Sequence, residues 1–333
     1  MKRKTKQKKF LFSYFNFKTK KEKKRKEKRE NQTTTLTLFY FTLFILLYLF
    51  LMMNSITTTI FPGKYIQGPG ALTRLPQLIT QLCSGQPPRV LLTSTSGTHK
   101  RVITPTVTPA LSSSTPPITY TWEEFSGTST HAEIARLAEK ARTFGATLIV
   151  GIGGGKLADV SKAVAHAVAA KVVVCPTIAS TDAPCSALSI VYTPAGEVTE
   201  VLELPRNPDA VVVDTAVVVA APQRYLVAGM GDALATWFEA ESCRAAAAPN
   251  CASKTDRGSI TAYALARLCF DTLREYGKLA VVANSVHALS PAFEHVVEAN
   301  TLLSGVGFES AGLATAHSIH DGLTRLHQTH EYL

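Results

Sequence analysis

Residues 146–169 read ATLIVGIGGGKLADVSKAVAHAVA, an apolar strand followed by a glycine cluster and a helix that begins near Lys156. Because the glycines lie between a strand and a helix, backbone amides and the helix N-terminus converge on one point, a geometry that favours a phosphate. The spacing matches neither the GxGxxG fingerprint nor the GxxxxGK[ST] loop, so a tight structural turn remains the alternative. Lys156 is a candidate partner for the phosphate, whereas Asp159 and Lys162 are open to interpretation as a solvated i, i+3 pair.

Around this segment, strand and helix signals alternate in the way that predicts parallel strands joined by crossover helices. A Ser/Thr/Pro-rich stretch at residues 104–117 is expected to interrupt the pattern. The predicted elements are the strand RVLLTS (89–94), the helix HAEIARLAEKARTFG (131–145), the strand VVVCP (172–176), a hairpin of SIVYT and VTEVLEL, and a strand in AVVVDTAVVVAAP that runs to Pro222.

After Pro222 the strand signals nearly vanish. Helical patterns follow around residues 232–244, 259–276 and 291–303, with another from about Leu313. The fold class predicted is therefore an α/β N-terminal domain with a Rossmann-like parallel sheet, followed by an all-helical C-terminal domain. The domain boundaries predicted are 1–53 for a basic tail with a hydrophobic segment, 54–221 for the α/β domain and 222–333 for a partial helical domain.

The net charge of +10 comes from one end of the chain. Residues 1–30 hold 15 of the 35 Lys and Arg residues and 3 of the 25 Asp and Glu residues, so the remaining 303 residues carry 20 basic and 22 acidic side chains. A body without excess positive charge cannot neutralise a row of phosphates, which excludes nucleic acid as its partner. Six scattered cysteines without a CxxC pair predict reduced thiols, with Cys185 a candidate for reactivity.

The uncharged segment at residues 36–53, LTLFYFTLFILLYLFLMM, has two interpretations. Eighteen such residues nearly cross a bilayer core of about 30 Å, which would make it a transmembrane signal anchor with its basic side in the cytosol. The favoured interpretation is that translation begins at Met52 or Met53 and that the preceding low-complexity stretch is a gene-model artefact. The expected location is then cytoplasmic, and membrane only if the hydrophobic segment is genuine.

Two further stretches carry candidate chemistry. PTIASTDAPCSAL, residues 176–188, follows a predicted strand end, where ligands bind in open α/β sheets, and it offers several hydroxyls and Asp182. A capped polar turn is the alternative. In the helical half, Asp232 lies in AGMGDALATWFEA, and His317 and His320 share one helix face. Asp and His side chains from separate helices predict a divalent-metal site, with structural histidines as the alternative.

Taken together, residues 61–333 resemble the metal-dependent, or iron-containing, alcohol dehydrogenase family in its glycerol-oxidising members. The resemblance rests on FPGKYIQG, VGIGGGKLADVSKA, PTIASTDAPCSALSIVYT, LPRNPDAVVVDT, AGMGDALATWFEA, EANTLLSGVGFESAGLATAHSIHDGLT and the closing HEYL, in that order. It implies a dinucleotide-binding N-terminal domain, a helical C-terminal domain, an active site in the cleft between them, and NAD-dependent oxidation of glycerol to dihydroxyacetone.

The resemblance also implies roles for individual residues. Asp182 is expected to contact the substrate, and His320 to face it or to support a ligand from behind. Asp232 and His317 are expected to ligate zinc or another divalent metal, which would lower the pKa of the substrate hydroxyl. The expected cofactor contacts are Gly153, Gly154, Gly155 and Lys156 at the pyrophosphate and Thr177, Ser180, Ser186, Leu188 and Tyr192 on the nicotinamide side.

Two departures from the family pattern limit what the resemblance implies. The third zinc ligand of the family is a histidine just beyond a segment like HEYL, where this sequence stops at Leu333, so a truncated helical domain is expected; His327 and His330 are not expected to replace it. The family also places an acidic residue at the first strand end, where this chain has Ser94 and Thr95, which leaves NAD against NADP open.

The sequence also bears on rival functions. A phosphorylated or carboxylated substrate would need extra basic residues, and TDAPCSA has none, which favours a small neutral polyol. The alternative from another class is a membrane-anchored, catalytically inactive relative. A homo-oligomer is the expected assembly, because family members commonly form one.

Overall fold

The computed structural model describes residues 20, 23, 24, 26, 34–48, 56–85, 87–115 and 117–329. By internal contacts the chain divides into two units, Met1–Ser55 and Ile56–Leu333. In the first, residues 34–48 form a helix whose side chains are exposed. Among the described residues, no helix combines the length and the apolarity needed to cross a bilayer. Residues 49–53 of the predicted hydrophobic segment, with Met52 and Met53, lie outside the described residues, as does His330.

The second unit is built on a six-stranded sheet in the order β1-β8-β5-β4-β2-β3, in which every pairing is parallel. Two further strands, β6 and β7, pair antiparallel and confirm the predicted hairpin. The strands are β1 Tyr65–Gly68, β2 Arg89–Ser94, β3 Thr119–Glu124, β4 Leu148–Gly153, β5 Lys171–Pro176, β6 Leu188–Tyr192, β7 Val198–Glu203 and β8 Ala210–Asp214.

The helices of the second unit are α1 Leu75–Leu82, α2 in three consecutive parts (Ser96–Thr98, the π-helical His99–Val107, and Thr108–Ser112), α3 His131–Phe144, α4 Gly155–Ala167, α5 Thr215–Val219, α6 Gln223–Ala245, α7 Ile260–Ser285, α8 Pro291–Glu298, the π-helical Ala299–Leu303, α9 Ser304–Ala311 and α10 Thr315–Leu323. Short 3-10 turns cover Ala71–Arg74, Ala183–Cys185 and His327–Thr329.

Successive residues of the central strands face opposite sides of the sheet, as the pleat requires. Leu92 and Val150 pack with α1 and α2 on one side, whereas Leu91 and Ile149 pack with α3 and α4 on the other. Because both faces are covered, β4 is buried along its whole length. This arrangement confirms the predicted Rossmann-like α/β layer.

Two of the sequence predictions are wrong. The Ser/Thr/Pro-rich stretch is helical up to Ser112, because Thr95 caps the start of α2 and Val102, Ile103 and Val107 bury against the sheet. The strand predicted to reach Pro222 ends at Asp214. There the Asp214 carboxylate accepts the Ala216 amide at 3.2 Å and so caps α5, while it also accepts the Gly70 and Leu72 amides.

Beyond α5 the described chain is helical, as predicted. Long helices α6 and α7 pack together with α8, α9 and the π-helical segment around an apolar cluster that includes Ala233, Cys269 and Phe293. Both long helices exceed their predicted bounds: α6 begins nine residues before the predicted 232, and α7 continues nine residues beyond the predicted 276. The helical half thus lies against the carboxyl-end loops of the sheet.

Candidate active site

The glycine-rich turn connects β4 to α4 at the carboxyl edge of the sheet. Gly154 occupies the N-cap position of α4 and supplies no side-chain cap, so the first amides of the helix are not covered by a capping side chain. A Cβ at Gly153 would lie 2.5 Å from Leu157 Cδ2, and one at Gly155 would lie 2.7 Å from Thr181 Cγ2. The absence of a Cβ at these glycines therefore lets the turn pack closely against Leu157 of α4 and Thr181 of the loop after β5.

The loop after β5, residues 177–187, lies beside that turn. The Thr177 amide donates to Gly153 O at 2.9 Å, and a Cβ at Gly154 would meet Ile178. Lys156 Nζ lies 5.2 Å from the centroid of the Tyr192 ring. The structure therefore brings together the glycine-rich turn, Thr177 and Tyr192, in one region of the surface.

Lys162 and Asp159 are a buried pair, so their interpretation as a solvated pair is wrong. Lys162 Nζ lies 3.2 Å from Asp159 Oδ1 and donates to Ala183 O at 2.8 Å, to Ser186 O at 3.3 Å and to Leu188 O. Both side chains are at most 5% exposed. The ammonium is buried because three loop carbonyls and one carboxylate replace its water. It fixes the loop that carries Ser186 and Leu188.

Glu309 and Asn207 hold the same loop from the other side. Glu309 Oε1 accepts the Ala187 amide at 2.6 Å, and its Oε2 accepts Asn207 Nδ2 at 2.5 Å. Asn207 Nδ2 also donates to Cys185 O at 2.9 Å. Sequence reasoning missed both residues, since Glu309 is 122 positions from Ala187 and nothing in its local pattern signals the contact.

Replacing Glu309 with glutamine should remove a pH dependence of stability. Burial raises the pKa of the Glu309 carboxyl from 4.5 to about 7, although the Ala187 and Asn207 hydrogen bonds favour the charged form. Because the folded state then binds the proton more tightly, this group lowers the free energy of unfolding by up to about 3 kcal/mol as pH rises through that interval.

We expect urea unfolding of Glu309→Gln, followed between pH 5 and 7.5, to lack this decline. At pH 5 the variant should be less stable than the parent. The NH₂ group of the new glutamine must face either the Ala187 amide or Asn207 Nδ2, and both of these are hydrogen-bond donors. Glu241→Gln, on the exposed side of α6, is the matched control and should keep the decline. An unchanged decline in Glu309→Gln would contradict the assignment.

Asp182, predicted as a substrate contact, lies beside the two predicted metal ligands, Asp232 and His317. Asp232 projects from α6 and His317 from α10, and His317 Nε2 lies 3.4 Å from Asp232 Oδ1. The Asp182 amide donates to Asp232 Oδ2 at 3.2 Å, which connects the loop after β5 to α6. The structure thus brings three residues predicted from separate motifs to one place.

Two residues that the sequence did not indicate orient this cluster. Glu239 Oε2 accepts a hydrogen bond from His317 Nδ1 at 2.6 Å, and Glu239 Oε1 accepts the His317 amide at 3.1 Å. Ser304 Oγ donates to Asp182 Oδ2 at 2.6 Å. Since Nδ1 is held by Glu239, the imidazole presents Nε2 towards Asp232, which is the carboxylate–histidine arrangement common behind metal ligands.

The donor set fits a divalent metal as far as its two predicted ligands go. A tetrahedral zinc ion with bonds of about 2.1 Å separates two ligand atoms by roughly 3.4 Å, and the two facing atoms of Asp232 and His317 are 3.4 Å apart. Over the described ranges, no group of three or more His, Cys, Asp or Glu side chains has metal-binding geometry. The spacing of Asp232 and His317 is thus compatible with two metal ligands, and Glu239 orients one of them.

Burial and close carboxylates perturb the acids and bases here. Burial raises the pKa of Asp182 well above its ordinary value, and the nearby Asp232 charge raises it further, while the Ser304 hydrogen bond opposes both. For His317, burial disfavours the charged ring, but hydrogen bonds to Asp232 and Glu239 outweigh it and raise the pKa to about 10. Burial also raises the pKa of the Cys185 thiol, so it is not a reactive thiolate.

The remaining predicted residues, His320, Ser186 and Ser180, form no side-chain hydrogen bond or ion pair with the Asp182–Asp232–His317 cluster in the described part of the chain. His320 is about half exposed, and its ring Nδ1 lies 3.7 Å from the neighbouring Asp321 carboxylate; within the described residues it does not join the Asp182–Asp232–His317 cluster. Ser186 Oγ donates to Ala183 O at 3.3 Å inside the loop. Ser180 lies on the same loop and is partly exposed.

Gly229 on α6 is required for the helix to approach the loop after β5. A Cβ there would lie 2.0 Å from Ala179 O and 2.6 Å from Asn300 Nδ2, which itself donates to Ala179 O. We expect Gly229→Ala to lower the free energy of unfolding by about 3 kcal/mol, because the clash involves backbone that cannot move aside. Thermal unfolding would measure this loss.

Gly231→Ala, two residues along the same helix, provides the matched control. A Cβ at Gly231 meets nothing within 4 Å. Alanine should therefore leave stability unchanged or raise it by up to about 1 kcal/mol, through its better helix propensity. Equal stability of the two variants would show that α6 does not contact the loop as described.

Comparison with known proteins identifies the family of the chain. The family model described as iron-containing alcohol dehydrogenase matches residues 62–215. A glycerol dehydrogenase of Thermotoga maritima is 52% identical over 278 residues, covering 84% of this chain and 73% of that protein. A glycerol dehydrogenase of Escherichia coli is 52% identical over 208 residues, covering 62% of this chain and 56% of that protein. The match thus spans between about half and three quarters of these relatives.

A solved structure gives the same result. The crystal structure of a probable glycerol dehydrogenase from Sinorhizobium meliloti superposes with a TM-score of 0.75 at 43% identity, covering 83% of this chain and 74% of that one. Shared topology at this level of identity extends from the parallel sheet into the helical half. The chain belongs to the iron-containing alcohol dehydrogenase family and is similar to the glycerol dehydrogenases within it.

Proposed function

We propose that this chain is an NAD-dependent oxidoreductase that oxidises glycerol, or a similar small polyol, to dihydroxyacetone or the corresponding ketone. One observation carries the proposal: Asp232 and His317 face each other at 3.4 Å, with the amide of Asp182 bonded to Asp232. This cluster and the glycine-rich turn are joined by one loop, in a chain whose relatives are glycerol dehydrogenases.

We assign each predicted cofactor residue a role from its position in the fold. Gly153, Gly154, Gly155 and Lys156 are proposed to hold the pyrophosphate of the dinucleotide, at the start of α4. Thr177, Ser180, Ser186, Leu188 and Tyr192 are proposed to line the nicotinamide side, on the loop and strand that Lys162 and Glu309 fix. Such a fixed loop reduces the cost of ordering the cofactor when it binds.

Asp232 and His317 are proposed to bind a divalent metal, and zinc is the metal that we favour. When bound, the metal would lower the pKa of the substrate hydroxyl, so that the alkoxide forms near neutral pH. Asp182 is proposed to orient the polyol, with its carboxyl fixed by Ser304. Bound NAD would accept the hydride from the substrate carbon while the hydroxyl proton went to solvent, so that one polyol and one NAD would give one ketone, one NADH and one proton.

A neutral substrate fits the charges of the site. Lys162, whose ammonium lies beside the loop, is occupied by three loop carbonyls and Asp159 and is almost fully buried. It is not available to a phosphate or carboxylate of a substrate. The loop TDAPCSA carries no cation of its own. We therefore expect polyols to be preferred over their phosphate esters.

The experiment is NAD reduction by the purified protein, followed at 340 nm with glycerol and a panel of small polyols. We expect activity that disappears with a chelator and returns with added zinc. Inductively coupled plasma mass spectrometry on the same preparations would count the metal. A folded protein that binds NADH but reduces no NAD with any polyol, at full zinc occupancy, would overturn the proposal.

A further inference from the structure

The adenosine end of the dinucleotide site lies at the strand next to the glycine-rich turn. β2 pairs with β4, with Thr93 opposite Gly151, so the carboxyl end of β2 is beside the turn. In Rossmann-type sites an acidic residue at this strand end binds the ribose 2′-hydroxyl of NAD, and its absence admits the 2′-phosphate of NADP. Here β2 ends at Ser94, followed by Thr95 and Ser96.

The hydroxyls of Ser94 and Thr95 are already used inside the protein. Ser94 Oγ accepts Trp122 Nε1 at 2.8 Å and donates to Thr95 O at 3.0 Å, and Ser94 is fully buried. Thr95 Oγ1 accepts the Thr98 amide at 3.3 Å, as the N-cap of α2, and donates to Thr98 Oγ1 at 3.2 Å. Each hydroxyl has thus committed its single proton inside the protein, and neither supplies the negative charge of a ribose-binding carboxylate.

A carboxylate does reach this position, from the neighbouring strand. Glu124 ends β3 directly opposite Ser94 in the register. Its Oε1 accepts the amide of Ser96 at 3.3 Å, so the side chain extends across the end of β2. The distance between adjacent strands is about 4.8 Å, which a glutamate side chain spans.

Glu124 also differs from its neighbour on β3 in having no ion-pair partner within the described ranges. Neither of its carboxylate oxygens meets a cation among the described residues, whereas the adjacent Glu123 lies 3.6 Å from Arg136 Nη1 and 3.5 Å from Lys140 Nζ. An exposed, unpaired carboxylate accepts ribose hydroxyls and repels a phosphate.

We propose that Glu124 is the specificity-determining residue for the dinucleotide, binding the adenosine ribose 2′-hydroxyl of NAD and excluding NADP. This inference rests on the proposed function for the class of cofactor. Arg101 favours the opposite preference, because a guanidinium attracts a 2′-phosphate and its nitrogens lie 3.3 Å from the position of a Gly97 Cβ, close to the end of β2. However, a 2′-phosphate beside Arg101 would also come close to the Glu124 carboxylate, which accepts the Ser96 amide, and the two negative charges would repel each other.

The test is fluorescence titration with NADH and NADPH, which needs neither the alcohol nor a complete metal site. We expect the unsubstituted protein to bind NADH more tightly than NADPH. In Glu124→Gln the preference should fall about tenfold, through weaker NADH and tighter NADPH binding. Glu123→Gln, one residue back on the same strand, should keep the preference within about twofold, because its carboxylate is paired away from the ribose.

The possible results separate this inference from the proposed function. An unchanged preference in Glu124→Gln, or tighter binding of NADPH by the unsubstituted protein, would overturn the inference. In the second case Arg101→Gln should lower NADPH affinity. Failure to bind either nucleotide would remove both proposals. Selective NADH binding that depends on Glu124, without oxidation of any polyol, would sustain the inference and remove only the proposed reaction.

Discussion

Replacing His317 with alanine is expected to lower NAD-dependent alcohol oxidation by about a thousandfold or more and to weaken zinc binding in the same variant. The imidazole Nε2 is 3.4 Å from Asp232 Oδ1, and no other described His or Cys completes a metal cluster with this pair. Asp232→Ala should give the same two losses, because either change leaves a single ligand. A site with one protein ligand would not hold the metal at micromolar zinc.

A graded variant distinguishes metal binding from general damage. Glu239→Gln keeps both ligands but weakens the hydrogen bond that orients His317 Nδ1. We expect it to weaken zinc binding by about 10- to 100-fold, with activity restored at high zinc. His131→Ala, at an exposed pair with Glu200, is the control and should change neither quantity. Stoichiometric zinc and full activity in His317→Ala would disprove the ligand assignment.

Much of this arrangement was predictable from local sequence patterns. The strand–glycine–helix segment at residues 146–169 predicts β4, the turn and α4, because periodicity and glycine content are properties of neighbouring residues. The predicted ligands Asp232 and His317 do face each other. Two predictions were wrong: the interruption expected at residues 104–117, where the chain is helical up to Ser112, and the strand expected beyond Asp214, where a short helix forms. In both places capping and burial outweigh the Pro and β-branched content.

What could not be predicted depends on contacts between distant parts of the chain. Glu239 meets His317 across 78 positions, and Ser304 meets Asp182 across 122. Each residue is unremarkable in its own helix, so its role appears only after the helices pack. The same holds for Glu124, whose use depends on the parallel register of β3 with β2. Orienting residues of this kind carry no local signal, in contrast to glycine turns.

Lys162 is the clearest case of a residue whose role local sequence spacing predicts wrongly. Its spacing of three from Asp159 is typical of a solvated helix pair, and yet the ammonium is buried under the loop after β5. The deciding fact is that three carbonyls of one loop point at the same position. A helix pattern contains no information about that loop, so the buried pair and a surface pair look alike in sequence.

Replacing Lys162 with methionine is therefore expected to lower the free energy of unfolding by about 3–5 kcal/mol. Methionine keeps an unbranched side chain, one heavy atom shorter than that of lysine, but it leaves the Asp159 carboxylate buried without its cation. It also removes the donor to Ala183 O and Leu188 O. Because these carbonyls flank Ser186, the affinity for NADH should fall in the folded fraction. Urea unfolding and NADH fluorescence titration measure the two effects.

Two companion variants decide whether the charge or the packing is responsible. Asp159→Asn in the Lys162→Met background should recover part of the stability, because it removes the unpaired charge, but it should not recover NADH affinity. Lys171→Met is the matched control, since Lys171 Nζ donates to Leu82 O at the amino end of β5, away from the loop. It should lower stability by about 1–2 kcal/mol without changing NADH affinity. If Lys162→Met also lost stability but bound NADH normally, Lys162 would support the fold and not position the cofactor loop.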